Sequence, residues 1–379
     1  MNVIKKLIAL FLNFVLNFFS IFKLKFIFVK IEASRIGHLL TNIDQSINYL
    51  EKKKENYLLL IYLKGKISNK HVVKLWKKNK KIFFFNFVER IINASNYKNE
   101  LKKFVIDWKI IQPYFTDLYA SKINFFVENN KHDFMKNNDI SKDFICLHNR
   151  DDYFSKQLEK DRNFLSYKNF DFSDFDLTIK QIKLDNLLPV RIGMHVDEEK
   201  KNKDLNYIDF TGSKSNFEND IYIQSYAKFT IIGSTGLAAV STTLRKPILY
   251  INYTPLNLGQ LSYVSKNSLV MPKLIKNKIS GRLLKFSEIK NLNFDIHQKY
   301  NFIEKQELEM INNSNEEILN AYLEMKGLIE NRLNETTENF EINKAFFYSL
   351  GEKEYANYLL EKTKIRLPYF FLKKYVNLF

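Results

Sequence analysis

Two of the chain's ten glycines fall in one stretch of four residues, Gly233-Ser234-Thr235-Gly236, between an apolar run, Phe229 to Ile232, and a short helical pattern, Leu237 to Leu244. Such a turn can hold an anion: glycine lets a ligand approach the backbone, Ser234 or Thr235 can cap the helix, and the helix amino end favours phosphate. Taken alone, the same turn is also a plain connection in any parallel α/β protein. His148-Asn149-Arg150-Asp151 with Tyr153, and Arg191-Ile192-Gly193-Met194-His195, each close an apolar run, and Asp209 follows Tyr207-Ile208. Arg150 can bind a diphosphate bidentately with Asp151 or His148 orienting it, and a structural Arg–Asp pair is the competing reading. Basic groups from separate strand ends converging on the glycine turn describe a site for a phosphorylated nucleotide. A further cluster, Ser34-Arg35-Ile36-Gly37-His38, places an imidazole at a helix start. There the helix dipole and Arg35 keep His38 neutral and able to accept a proton, although most histidines so placed are caps or packing residues.

These residues need strands to carry them to a common edge, and the hydrophobic pattern supplies two series of them. The first runs through a strand at Phe26 to Ile31, a loop at Ser34 to His38, a helix at Leu39 to Leu50, a strand at Tyr57 to Leu63, a helix from Asn69 to Lys81 and a third strand at Ile82 to Phe87. Residues 129 to 142 are polar without a sustained apolar period, so the domain boundary is expected there. The second series takes in Asp143 to Leu147, Leu188 to Met194, Tyr207 to Phe210, the glycine turn and Pro247 to Asn252. From Asp295 onward the pattern reads as helical, with a long amphipathic segment at Glu316 to Leu333 and a basic aromatic tail at Arg366 to Phe379.

At 379 residues the chain is long enough for two domains, and its net charge of +17 is uneven. Residues 1 to 141 hold 25 Lys and Arg against 11 Asp and Glu. In the Asn69 to Lys81 helix, Val72, Leu75 and Trp76 share a stripe ringed by lysines. This is the pattern of a helix resting on anionic lipid, or of a surface helix whose Trp packs inward. Leu7 to Phe22 is apolar apart from Asn13 and Asn17 and is bracketed by lysines; its 16 residues fall short of the roughly 20 that span a bilayer. A monotopic anchor is the preferred reading of residues 1–24, with a buried helix covering the core as the alternative. No RNA-binding signature accompanies the charge, so nucleic acid ranks below membrane as a partner. The single cysteine, Cys146, excludes an intrachain disulfide and fits a reducing compartment. The six histidines form no HExxH motif or pair at helical spacing, so no metal site is expected. The glycine turn lacks the GxxxxGK[ST] spacing of an ATPase, and GxSxG is absent.

In their order, Arg35-Ile36-Gly37-His38-Leu39, Phe144 to Tyr153, Asp161-Arg162-Asn163, Arg191-Ile192-Gly193, Ile208-Asp209 and Asp220-Ile221-Tyr222 leading into Gly233 to Gly236 resemble a bacterial glycosyltransferase family encoded with surface-polysaccharide genes. The resemblance covers roughly residues 25 to 275. It implies an α/β fold of two Rossmann-like domains, GT-B-like, facing a cleft and followed by a helical C-terminal extension. The implied divisions are a membrane-associated segment at 1–24, an acceptor-side domain at 25–135, a nucleotide-sugar-binding domain at 136–294 and a helical region at 295–379. The pattern His148-x-Arg150 is also similar to that of O-fucosyltransferases, where the arginine contacts the donor diphosphate. Asn149 stands where the family usually has valine, which makes this strand end more polar.

The resemblance implies a metal-independent glycosyltransferase, without a cofactor, that moves a sugar from a nucleotide-sugar donor to a surface-polysaccharide or lipid-linked acceptor. His148, Arg150, Arg191, Asp209 and the Gly233-Ser234-Thr235-Gly236 turn would bind the donor, and His38 with Arg35 would serve catalysis. The expected location is peripheral, on the inner face of the cytoplasmic membrane, against its anionic surface. The competing class is a membrane-associated binding protein that keeps the fold without turnover.

Overall fold

The computed structural model describes residues 2–54, 56–95, 99–106, 131–138, 140–151, 163–193, 206–212, 215, 217–254, 256, 261, 264–292, 307–333 and 335–379. The chain divides into two compact units, Met1–Phe126 and Val127–Phe379. The division falls ahead of the polar stretch expected to mark it. That stretch contains a helix, Lys131–Asn137, whose Phe134 packs on Tyr222 and Tyr226 at 5.4 and 5.9 Å between ring centroids.

The first unit is a parallel sheet in the order β1-β2-β3, with β1 at Lys25–Glu32, β2 at Tyr57–Lys64 and β3 at Ile82–Phe84. Among the described residues its α-helices are α1 at Asn2–Ile21, α2 at Ile43–Lys52, α3 at Lys70–Trp76 and α4 at Val88–Ser95. Two apolar faces need cover because β1 and β2 bury alternate residues on opposite sides of the sheet. On one face Phe28 and Leu60 meet Ala9 and Leu16 of α1, Val88 and Ile91 of α4, and Leu101 and Phe104. The amino-terminal segment is therefore part of the first unit's core rather than a separate piece, and removing it would strip the cover from Phe28 and Leu60. Helix α3 is shorter than its periodicity suggested, with Asn69 capping it through the Val72 amide. Val72, Val73, Leu75 and Trp76 are all buried, and Trp76 Nε1 donates to the Leu39 carbonyl at 2.9 Å. The apolar stripe of the basic helix is thus spent on the core, which leaves its lysines, not its tryptophan, to the surface.

The second unit is built on six parallel strands in the order β6-β5-β4-β7-β8-β9. These are β4 at Phe144–His148, β5 at Leu188–Arg191, β6 at Ile208–Asp209, β7 at Thr230–Ile232, β8 at Ile248–Tyr253 and β9 at Leu269–Pro272. Strands β4, β8 and β9 are buried at every residue, as a sheet covered on both faces requires. Strand β9 had no place in the sequence reading. Its four residues follow residues 255–265, and its neighbour on the far side is a bridge from Leu269 to Arg366, near the end of the chain.

Among the described residues the carboxyl-terminal region is mainly helical, and it also contributes β11 at Leu308–Ile311, antiparallel to β10 at Leu274–Asn277. The expectation of helix throughout from Asp295 is corrected here: Leu308 is buried between exposed Glu307 and Glu309, as in a strand with one face covered. The long helix Asn315–Ile329 starts with a capping box at Ser314 and Glu317. It is fastened to the helix Asp176–Leu184 and its end by Tyr322, whose hydroxyl donates to Asp185 at 2.7 Å, and by Lys326, 2.8 Å from the same carboxylate. The expected aromatic tail packs inward through Phe371 and Leu372 of the helix Tyr369–Lys374. These helices complete the second unit and do not form a separate body.

Candidate functional site

Because every pairing in the six-stranded sheet is parallel, the carboxyl ends of its strands share one edge. Chain order runs outward from β4 through β5 and β6, then reverses to β7, β8 and β9 on the other side. The reversal between β4 and β7 is where sheets of this kind receive ligands. His148 lies level with Ile232, so Asn149-Arg150 and Gly233-Ser234 leave the sheet side by side, and Arg191 is level with Leu147 on the other flank.

Arg191 is the most informative of these side chains, at 1% exposure. Its Nη2 donates to Asn149 Oδ1 at 3.2 Å, and its guanidinium stacks on Phe172, 3.9 Å from the ring centroid. Nε and Nη1 have no hydrogen-bond partner among the described residues, and no carboxylate there pairs with the charge. A buried cation with two idle donors is costly unless an anion meets it.

His148 Nδ1 lies 3.0 Å from the Ile192 carbonyl, which can only accept, so Nδ1 carries the proton and Nε2 presents a lone pair. Burial first, then Arg191 and Arg150, push its pKa down to about 4, against the opposing pull of that carbonyl. At neutral pH His148 is an uncharged acceptor held in one tautomer. Asn149 bridges Arg191 and the chain at Phe170. Its Oδ1 accepts from Arg191 while its Nδ2 donates to the Phe170 carbonyl at 3.2 Å.

Phe170 belongs to a strap that the sequence reading missed. The Phe170 amide donates to the Arg150 carbonyl at 3.0 Å, and Lys273, at the end of β9, donates from Nζ to the Asn169 carbonyl at 2.9 Å. Burial lowers Lys273 to about 8, partly offset by Asp174, and raises Asp174 to about 6 with help from Asp171. A Cβ on Gly233 would stand 2.5 Å from the Phe170 ring. The expectation that this glycine opens the backbone to a ligand is corrected: it makes room for Phe170. The repeat of Phe at 170, 172 and 175 within a polar stretch was the signal available for this strap.

The rest of the glycine turn also differs from expectation. Ser234 Oγ accepts from the Thr254 amide at 2.9 Å, and Thr235 Oγ1 accepts only a long 3.4 Å bond from Leu237. The following helix, Ala238–Thr243, has no side-chain cap, and the Ala238, Ala239 and Val240 amides bond back to Thr235, Gly236 and Leu237. With its first amides turned into the turn itself, this short helix presents less of a phosphate cradle than its sequence suggested. Asp209 Oδ1 accepts from the Thr211 amide at 2.8 Å and its hydroxyl at 2.5 Å, closing a turn after β6. Gly193, two residues past the end of β5, has φ +140°, a conformation that favours glycine. Tyr153, Asp161, Arg162, Met194 and His195 lie outside the described residues.

In the first unit the Arg35 to His38 loop leaves the carboxyl end of β1. Gly37 has ordinary right-handed backbone, and a single π turn, His38–Asn42, leads into α2. Burial, then the Arg35 charge, lower the His38 pKa, while Glu32 opposes them. Asn42 Nδ2 lies 3.1 Å from His38 Nδ1. In that pose the amide donates to Nδ1 and the imidazole proton sits on Nε2; a half-turn of the Asn42 amide would present its oxygen to Nδ1–H and free Nε2 as a base. Among the described residues no group of three or more His, Cys, Asp or Glu is placed to hold a metal ion, and no helix is long and apolar enough to cross a membrane.

No protein-family model matches the chain, and no curated protein sequence matches it. Among solved structures, a glycosyl transferase family 9 protein from Veillonella parvula is similar over 79% of this chain and 96% of its own, at 11% identity and a TM-score of 0.46. The E. coli ADP-heptose lps heptosyltransferase II is similar over 65% and 90%, at 11% identity and a TM-score of 0.42. TibC, an iron-containing dodecameric glycosyltransferase from enterotoxigenic E. coli, is similar over 59% of each chain at 11% identity and a TM-score of 0.36, so this match spans well under two thirds of that protein's length. Likenesses at this level carry no weight for activity.

Proposed function

We propose that the chain is a glycosyltransferase whose second unit binds the diphosphate of a nucleotide-sugar donor at the reversal of its six-stranded sheet. The observation that carries this reading is Arg191, a buried guanidinium at the strand end beside β4, two of whose donors have no partner among the described residues. Departure of a nucleoside diphosphate from a sugar leaves negative charge, and preorganised cations in a dry site stabilise it as it grows. Arg191 and Arg150 fill that role, with the Ser234 to Gly236 turn in support. Neutral His148 accepts a hydrogen bond from a donor hydroxyl through Nε2. Asp209 shapes the neighbouring loop through Thr211. In the first unit, burial and then the Arg35 charge keep His38 neutral, and with the Asn42 amide turned so that its oxygen meets Nδ1–H, Nε2 takes the proton of the attacking acceptor hydroxyl. We assign the acceptor to surface-polysaccharide or lipid-linked glycans and the working location to the inner face of the cytoplasmic membrane. No resident metal or cofactor is needed for this chemistry.

One feature favours the second reading, a binding protein without turnover. Phe170 fills the space over Gly233 that a donor could otherwise use. Two measurements separate the readings. Calorimetry against a panel of nucleoside diphosphates tests the donor site, and release of free sugar or its transfer from the matching nucleotide sugar tests turnover. Binding with turnover supports the enzyme, binding without turnover the second reading, and absence of any diphosphate binding overturns both.

A further inference from the structure

Helix α1 has two apolar faces, and only one is used by the fold. Ala9 and Leu16 are 1% and 5% exposed and enter the core of the first unit, with Leu12 packed beside them. Leu7, Phe11, Phe14, Phe18 and Ile21 recur at spacings of four and three, so they form a second stripe on the opposite side of the helix. Phe11, Phe14 and Ile21 are 67%, 71% and 75% exposed. Between the faces runs a polar seam in which Asn17 Nδ2 donates to the Asn13 carbonyl and Asn17 Oδ1 accepts from Lys103 at 2.7 Å. A helix that served only to cover the core would carry polar residues on its outer side.

A second exposed apolar group sits on the same face of the sheet. Phe28 pairs with Leu60 and Leu60 with Phe83, so these three side chains stand in a row across β1, β2 and β3. Helices α1 and α4 cover the first two, and Phe83 is left 39% exposed. Phe85 and Phe87 continue from it as a ladder, with ring centroids 6.2 Å and 5.1 Å apart. Both remain exposed.

Charge identifies the occupant. Residues 1–31 and 56–88, which carry these exposed side chains, hold 13 lysines and no Asp or Glu, and Glu89, the next residue, is 3.8 Å from Lys30. Lys23 and Lys25 at the start of β1, and Lys80 and Lys81 ahead of β3, stand at the amino edge of the parallel sheet, next to the end of α1 where Ile21 is exposed. Aromatic and aliphatic side chains exposed on one face and bordered by an excess of lysines fit the interfacial zone of an anionic bilayer. There the rings enter the headgroup boundary and the ammonium groups meet lipid phosphate. The same features fit a protein partner poorly, since a second copy would bring the same lysines into opposition.

We propose that the outward stripe of α1 and the Phe83-Phe85-Phe87 ladder form one docking surface for an anionic phospholipid bilayer, with α1 lying in the membrane plane instead of crossing it. The surface does not depend on the donor site, and the two can fail separately. The test is flotation of the full-length protein with vesicles of neutral phosphatidylcholine, with and without about a third acidic phospholipid, at low and high salt. Two variants accompany it, Phe14→Ser with Phe18→Ser and Phe85→Ser with Phe87→Ser. Because these side chains are exposed, both variants should keep the wild-type melting temperature and nucleotide affinity. Charge reversal, Lys80→Glu with Lys81→Glu, leaves every apolar contact in place.

The expected result is strong flotation on acidic vesicles only, weakened by salt and reduced tenfold or more by each aromatic pair and by the charge reversal. Wild-type protein that stays with the soluble fraction on acidic vesicles overturns the proposal. So do variants that float as the wild type does, or a stable dimer in solution that the same aromatic substitutions dissolve.

Discussion

Replacing Arg191 by methionine should separate what this residue costs the fold from what it does for a ligand. Met has similar length and no charge. In the unliganded protein the substitution removes a stacking contact on Phe172, worth up to about 2 kcal/mol when desolvated. It also removes the bond to Asn149 Oδ1, about 1.5–3 kcal/mol for a charged donor. Against these losses it relieves Nε and Nη1, two buried donors without partners among the described residues, at about 1–3 kcal/mol each. The terms nearly cancel, so unfolding in urea should shift by no more than about 1 kcal/mol.

Ligand binding has no such compensation. Two charge-assisted bonds to a diphosphate at about 1.5–3 kcal/mol each amount to a loss of roughly a hundredfold to ten-thousandfold in affinity. Urea unfolding of the free protein and calorimetry with the best-binding nucleoside diphosphate read the two quantities independently. The reasoning is refuted if Arg191→Met loses more than about 3 kcal/mol of stability while the remaining folded protein binds the diphosphate as the wild type does, because the arginine would then be a structural strut.

His38→Ala should leave nucleotide affinity nearly unchanged and lower turnover by roughly a hundredfold or more, whereas Arg150→Ala should weaken both; steady-state rates alongside calorimetry check the split. Gly233→Ala should destabilise by about 1–3 kcal/mol, since its Cβ would stand 2.5 Å from the Phe170 ring, and the double variant with Phe170→Ala should recover most of that loss in urea unfolding. For His148 the folded pKa, about 4, lies below the ordinary 6.5, so the unfolded chain binds more protons in between. The stability that follows is complete above pH 6.5 and is lost as the pH falls through about 4, by about 3 kcal/mol at most; His148→Gln should flatten this part of the pH–stability profile.

The strands that carry the site were legible because buried parallel strands are apolar throughout: Phe144 to Leu147 and Thr230 to Ile232 could hardly be anything else. Their carboxyl ends followed directly, and with them His148, Arg150 and Arg191. Strand β9 and the pair β10 and β11 were harder, since four-residue strands give neither period enough repeats to be distinguished. The amino-terminal segment was ambiguous for a physical reason. Its two readings, core helix and membrane anchor, ask for apolar residues on opposite faces, and α1 has both. Composition counts the faces together; only the burial of Ala9 and Leu16 against the exposure of Phe11 and Phe14 separates them.

The glycine turn shows the same limit at the site. A glycine at a strand end reports that something comes close to the backbone, not what comes close. At Gly233 the neighbour is the Phe170 ring, 63 residues earlier in the chain, and no local pattern could have named it. Arg191 runs the other way. As a single letter it is an ordinary basic residue at a strand end, and its meaning in the proposed site comes from four things that sequence separates: Asn149 on one side, Phe172 beneath, burial all round and two donors without a partner among the described residues. The weight of the site therefore moves from the loop that looked like a phosphate cradle to a guanidinium that the strap holds in place. Asn149 and Lys273 become positioning residues in consequence, since one holds the arginine and both hold the strap. On that order of weights, Asn149→Val frees Nη2 and loosens Phe170 together. It should weaken diphosphate binding more than Ser234→Ala does, and calorimetry showing the reverse order would return the turn to first place.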